Sequence, residues 1–163
     1  MTVVVLAAGQ TLSRALADSF ADAVVIDGQD AVDDTIWQTL AALQTAHASM
    51  ARGGRIVLIL PTIGMTGAAG LVDYTTAVEG IRALAKSAAR QWASDGTTVN
   101  MIAAPLALFA TDGDASHLTA AAVQHDETLI HSILETAKFL LRHDVDHLTG
   151  DTIVIDGGSV MLP

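Results

Sequence analysis

Residues 53–105 read GGRIVLILPTIGMTGAAGLVDYTTAVEGIRALAKSAARQWASDGTTVNMIAAP. After Arg55 the run to Leu60 is wholly apolar, as a central strand of a parallel sheet requires when both of its faces are covered. Residues 61–70 carry Gly64, Gly67 and Gly70 and read as a loop. From residue 73 to 94, Tyr74, Val78, Ile81, Ala85, Ala88 and Trp92 recur on one helical face. Ala77, Ala83, Ala85, Ala88 and Ala89 make that helix thin, so that a second helix can approach it closely. Gly96 then turns the chain into a second strand, TVNMI. Strand, glycine loop, long helix and strand in succession predict an α/β fold.

The flanks extend the same alternation. Residues 3–6 and 23–26 are short β-branched runs read as strands, the second closed by Asp27-Gly28. Between residues 33 and 50, Ile36, Leu40, Leu43, His47 and Met50 recur at spacings of three and four, a helix that Asp33 or Asp34 can cap and Gly53-Gly54 stops. On that face His47 reads as a packed histidine. Residues 128–142 predict a last helix with a wide apolar stripe, and residues 152–156 a closing strand.

Composition bounds the function. A chain of 163 residues, 51% of them hydrophobic, suffices for one domain with a core. No apolar run approaches the roughly 18 residues a membrane helix needs, and MTVVVLAAGQ lacks the basic start of a signal peptide. There are no cysteines, which excludes disulfides and thiolate metal sites and leaves a cytoplasmic location as the default expectation. The formal charge of −10 disfavours nucleic acid and anionic membranes as partners. A mean hydropathy of +0.45 is high for a small domain and points to apolar surface covered by another subunit.

Residues 53–105, together with the closing HLTGDTIVIDGGSVMLP, resemble the short-chain dehydrogenase/reductase family. The resemblance implies a three-layer, Rossmann-like α/β fold as one domain over residues 1–163, with a reduced, mostly parallel five-stranded sheet. The family's third and fourth strands and its NNAG-like motif, in chains of roughly 250 residues, have no counterpart here. The implied strand order is 2-1-3-4-5, with 1-2-3-4-5 as the alternative. The family's catalytic Ser, Tyr and Lys fall, by their spacing, on Pro61, Tyr74 and Val78. Its TGxxxGxG phosphate loop falls on LAAGQTLSRALADSF, so Ala7, Thr11 and Ser13 stand at the glycine positions with Gly9 between them. The reading is a lost dinucleotide site, with a modified loop as the alternative. Asp27 is either a relic of the ribose-binding acid or part of an Asp-Gly turn. Pro105 matches the Pro-Gly that follows the family's next strand, with Leu106 in place of the glycine.

Taken together, the resemblance implies a truncated, degenerate member with no catalytic, cofactor-binding or metal-binding residue of its own, Tyr74 being a relic. It resembles the inactive subunit of heteromeric family members such as the hydroxyacyl-CoA dehydrogenase of benzylsuccinate degradation. The implied partner is an active subunit carrying NAD(P), in a heterotetramer. The alternatives are a homo-oligomeric binding or regulatory module, or an active enzyme using Tyr74 with an atypical cofactor mode. The interfaces expected from the resemblance are the helices over residues 33–50 and 73–94, and the last helix with the last strand.

Other chemistry is thinly signed. Histidines stand at 47, 117, 125, 131, 143 and 147, and His143 with His147 have ligand-like spacing but no third ligand. No GxSxG, P-loop or HExxH motif occurs. A tyrosine near its ordinary pKa of about 10 with no lysine beside it is a weak acid catalyst at neutral pH.

Overall fold

The computed structural model of the chain describes residues 1–6, 9–26, 32–109 and 126–161. Five strands, β1 (Thr2–Leu6), β2 (Ala23–Ile26), β3 (Arg55–Pro61), β4 (Thr98–Ala104) and β5 (Thr152–Val154), form one sheet in the order β2-β1-β3-β4-β5. Every pairing is parallel. The helices are α1 (Gln10–Ser19), α2 (Val32–Ser49), the single turn α3 (Ile63–Thr66), α4 (Val72–Gln91) and α5 (Asp126–Leu140). The architecture is the expected three-layer α/β sheet, and of the two strand orders the structure has 2-1-3-4-5.

That order follows from burial. The side chains of Val3, Val4 and Val5 are at most 2% exposed, whereas Val24 on β2 is 40% exposed. The longer β1 sits inside the sheet with both faces covered and the shorter β2 takes the edge. Side chains alternate with the period of two that strands impose. Val4, Ile56, Leu58, Leu60, Val99 and Met101 face a core under α2 and α4. Val3, Val5, Val57, Ile59, Ile102 and Ala104 face a second core that also holds Leu12, Leu16, Ile133 and Leu140.

Element ends differ from expectation for local reasons. The α4 helix stops at Gln91, tightens into a 3-10 turn (Ala93–Asp95), and ends at Gly96, whose φ of 72° is the left-handed conformation a glycine supplies. The β5 strand ends at Val154 because Asp156 turns the chain back, its carboxylate accepting the Gly158 and Val160 amides at 2.9 and 2.7 Å. Asp33 and Asp34 lie inside the first turn of α2 rather than at its cap.

The thin face of α4 receives a second helix, as expected, and that helix is α2 of this chain. Ala77, Ala85, Ala88 and Ala89 are at most 7% exposed, and the last three belong to the core between the sheet, α2 and α4. The thin helix lets α2 and the sheet come close; of the five alanines only Ala83 is exposed. Among the described residues no helix is long and apolar enough to cross a membrane.

Candidate functional site

The carboxyl ends of the strands are where an open parallel sheet offers a ligand crevice. The β3 strand arrives there at Pro61, which is buried and paired in register with Ala104 of β4. Thr62 donates its amide to the Ala104 carbonyl at 2.8 Å, fixing the two strand ends together. The chain then makes α3 and returns as α4. These two helices pack so closely that a Cβ on Gly64 would lie 2.7 Å from Val78 Cγ1 and 2.9 Å from Glu79 Oε1. Val78 is 0% exposed and belongs to the core under α2 and α4. Glu79 pairs through Oε2 with Arg82 at 2.9 Å, while its Oε1 is buried with no hydrogen-bond partner among the described residues.

Tyr74, in the first turn of α4, packs its ring against the same core as Val78 and Ile81. Its hydroxyl is buried and has no hydrogen-bond partner among the described residues. Burial pushes the phenol up from 10.0 to about 12, because the phenolate would lose its hydration. The structure thus puts Tyr74 and Val78 in one core, with Pro61 at the end of β3, and among the described residues the Tyr74 hydroxyl has no hydrogen-bond partner. Pro61 itself carries no hydroxyl, and Val78, one turn beyond Tyr74, carries no ammonium that would lower the phenol's pKa.

At the other side of the crevice Gly9 begins α1. Its amide donates to the Leu108 carbonyl at 2.8 Å, and a Cβ there would lie 3.1 Å from the same oxygen. Thr11 is exposed and Ser13 half-buried on the first turn. Ala7, Asp27, Gly28, His117 and His125 lie outside the described residues. The amide that opens α1, a group that faces the phosphates when the family holds a dinucleotide, is here engaged by a backbone carbonyl.

Among the described residues the remaining histidines form no cluster that could hold a metal. His47 stacks on Trp92 with ring centroids 4.2 Å apart and 3° between planes, and its Nε2 lies 3.3 Å from Asp95 Oδ2. This is the packed histidine expected of its helix face. His143 and His147 are exposed; His143 borders a cleft of about 620 Å³ at the amino ends of the strands, opposite the crevice. Of the acids between them, Asp144 pairs with Arg142 and Asp146 with Arg55.

Arg55 is the residue that sequence reasoning passed over. It is 2% exposed, and it donates to the carbonyls of Arg142, Gly53, Gly54 and Gly96 as well as to Asp146. Its signal was a charge heading an apolar strand directly after Gly-Gly. The Gly9–Leu108 bond had no such signal, since it joins residues 99 positions apart through backbone atoms.

Comparison with known proteins adds three findings. A family model described as enoyl-(acyl carrier protein) reductase matches residues 1–160. Among curated proteins, the 3-oxoacyl-(acyl-carrier-protein) reductase FabG of Staphylococcus aureus is 29% identical over 157 residues, covering 81% of this chain and 56% of that one. The FabG of Salmonella typhimurium is 29% identical over 116 residues, covering 68% and 48%. The chain therefore spans about half the length of the curated relatives it matches. Among solved structures, a short-chain dehydrogenase/reductase from Serratia marcescens superposes with a TM-score of 0.65 at 17% identity, covering 96% of each chain. The Plasmodium berghei enoyl-acyl-carrier-protein reductase with triclosan superposes with a TM-score of 0.68 at 19% identity, covering 96% of this chain and 57% of that one. These superpositions speak for the fold.

Proposed function

The chain belongs to the short-chain dehydrogenase/reductase family, and on that premise we propose that it is a non-catalytic subunit of a heteromeric member whose active partner uses NAD(P). One observation carries the proposal. Where the family's chemistry needs an ammonium beside a tyrosine, Val78 is sealed in the core and the Tyr74 hydroxyl is buried with no partner among the described residues. Pro61, with no hydroxyl, at the strand end points the same way. In this reading the chain is a truncated member that kept the family's scaffold without its site.

The relatives suggest the substrate class of the complex. The matching curated proteins are named as reductases of 3-oxoacyl groups on acyl-carrier protein. An acyl thioester, oxidised or reduced at the 3-position by the partner as in a hydroxyacyl-CoA dehydrogenase, is the class we propose. The surfaces proposed for the partner are α2 with α4, and α5 with β5, in a heterotetramer. A homo-oligomeric binding or regulatory module is the reading that follows if no partner exists.

The test is a calorimetric titration of the isolated chain with NAD and NADP, followed by affinity isolation from its source. We expect no binding and recovery of a full-length dehydrogenase. The same likeness to working reductases favours a second reading, an active enzyme acting through Tyr74. Micromolar nucleotide affinity together with reduction of a 3-oxoacyl thioester by the isolated chain would establish that reading instead.

A further inference from the structure

The chain runs from β1 outward to β2 and then returns to the other side of β1 as β3, so the strand order reverses between β1 and β3. Ligands of open α/β sheets bind outside the carboxyl ends of the strands at such a switch point. The fold family implies a dinucleotide there, and here a backbone carbonyl engages the amide that would face its phosphates. The reason lies in the segment after β4.

Neighbouring strands lie about 4.8 Å apart, so β4 and β1, on either side of β3, are separated by roughly 10 Å. A chain leaving β4 must cross the end of β3 to reach α1. Residues 105–109 make that crossing. Pro105 starts a 3-10 turn (Leu106–Leu108), closed by Leu108 N–H to Pro105 O at 3.1 Å and Phe109 N–H to Leu106 O at 2.9 Å. Phe109, 5% exposed, anchors the turn in the core beneath α1 and α5. The Leu108 carbonyl then accepts the Gly9 amide at 2.8 Å. The approach is close enough that a Cβ on Gly9 would press on the Leu108 oxygen at 3.1 Å, although φ at Gly9 is −59° and suits any residue.

We infer that residues 105–109 form an internal strap that closes the switch-point crevice, a backbone carbonyl standing where the positive end of α1 would otherwise face an anionic ligand. The exposed Thr11 does not by itself seal that helix end. The inference deepens the non-catalytic reading by naming what shuts the site: a hydrogen-bonded segment of this chain, in competition with any diphosphate-bearing ligand.

The experiment is amide exchange by NMR on the whole chain, in the native sequence and in the variants Gly9→Ala and Phe109→Ala, with ADP as the probe. In the native chain we expect the residue 9 amide to exchange at least tenfold more slowly than that of Gln10, as a closed hydrogen bond requires. ADP at roughly 10 mM, sufficient to reveal millimolar affinity, should leave the amides of residues 10–12 unmoved. In Gly9→Ala the carbonyl must give by a few tenths of an ångström, so protection at residue 9 should fall severalfold and ADP should begin to shift those amides. Phe109→Ala should do the same by freeing the anchor; should it fail to fold, Gly9→Ala alone decides. Unprotected residue 9 in the native chain overturns the strap. So does a released strap with no response to ADP. If the native chain binds NADP and residue 9 loses protection in the complex, the strap stands and the non-catalytic reading falls. If it binds NADP with residue 9 still protected, both fall.

Discussion

Tyr74 is the only tyrosine of the chain, which makes it directly measurable. Its phenol is pushed up from 10.0 to about 12 by burial. A raised pKa means that the folded state holds the proton where the unfolded state has released it. The stability associated with the neutral, buried phenol is therefore intact below pH 10 and declines as pH rises through about 12. Two units correspond to roughly 2–3 kcal/mol at the high-pH limit. An absorbance titration of the folded chain should show a single phenolate transition near 12, returning to about 10 in denaturant. Tyr74→Phe should abolish this pH dependence and leave stability at neutral pH equal or higher by about 1 kcal/mol, since an unsatisfied buried hydroxyl is removed. Turnover of the assembled complex should stay within about twofold of the native value; a loss of about a hundredfold would assign the phenol a chemical role. Restoring the missing ammonium tests the same point. Val78→Lys buries an unpaired charge in a fully enclosed position and should lower stability by about 3 kcal/mol or more in urea denaturation without creating activity.

Arg55 works at the level of elements. Its guanidinium ties the start of β3 to the turn before it, to the α4–β4 turn at Gly96 and to the segment after α5 at Arg142 and Asp146. Four of its five acceptors are backbone carbonyls, at Gly53, Gly54, Gly96 and Arg142, and removing the guanidinium takes its hydrogen bonds from all of them at once. Arg55→Met should cost about 3–5 kcal/mol by denaturant unfolding. Asp146→Asn should cost about 1 kcal/mol or less, because the Asp146 side chain is 66% exposed and its ion pair is screened by water. Equal costs for the two would mean that the ion pair, rather than the carbonyl clasp, holds the turns.

The alanine face changes meaning for the whole molecule. Ala88→Arg, at a position 7% exposed, should unfold the chain rather than dissociate it. The exposed Ala83, together with Trp37 at 67% exposure, is where a partner on α4 and α2 can be tested without disturbing the core. Ala83→Arg should leave the unfolding midpoint within about 0.5 kcal/mol of native stability and still prevent recovery of the proposed partner. Sedimentation of native chain and variant with and without the isolated partner checks both halves. A stable native monomer with every dehydrogenase of its source would remove the subunit reading.

Much of this protein was legible in residue order because its signals are periodic. The apolar run after Arg55, the helical recurrence through Trp92 and the short β-branched runs gave the strands and helices of the fold. Their hydrophobic faces are spaced by backbone geometry that any reader of the chain can count. The substitutions at residues 61 and 78 were equally plain. Tertiary structure alone decided which strand took the edge, because that depends on how well two short, similar strands are covered. It also decided that the alanines of α4 serve this chain's own packing and that Arg55 has five acceptors. It joined Gly9 to Leu108 through groups that every residue but proline carries. Side-chain type is written in the sequence; a contact between backbone atoms 99 residues apart exists only once the sheet has set its strands side by side.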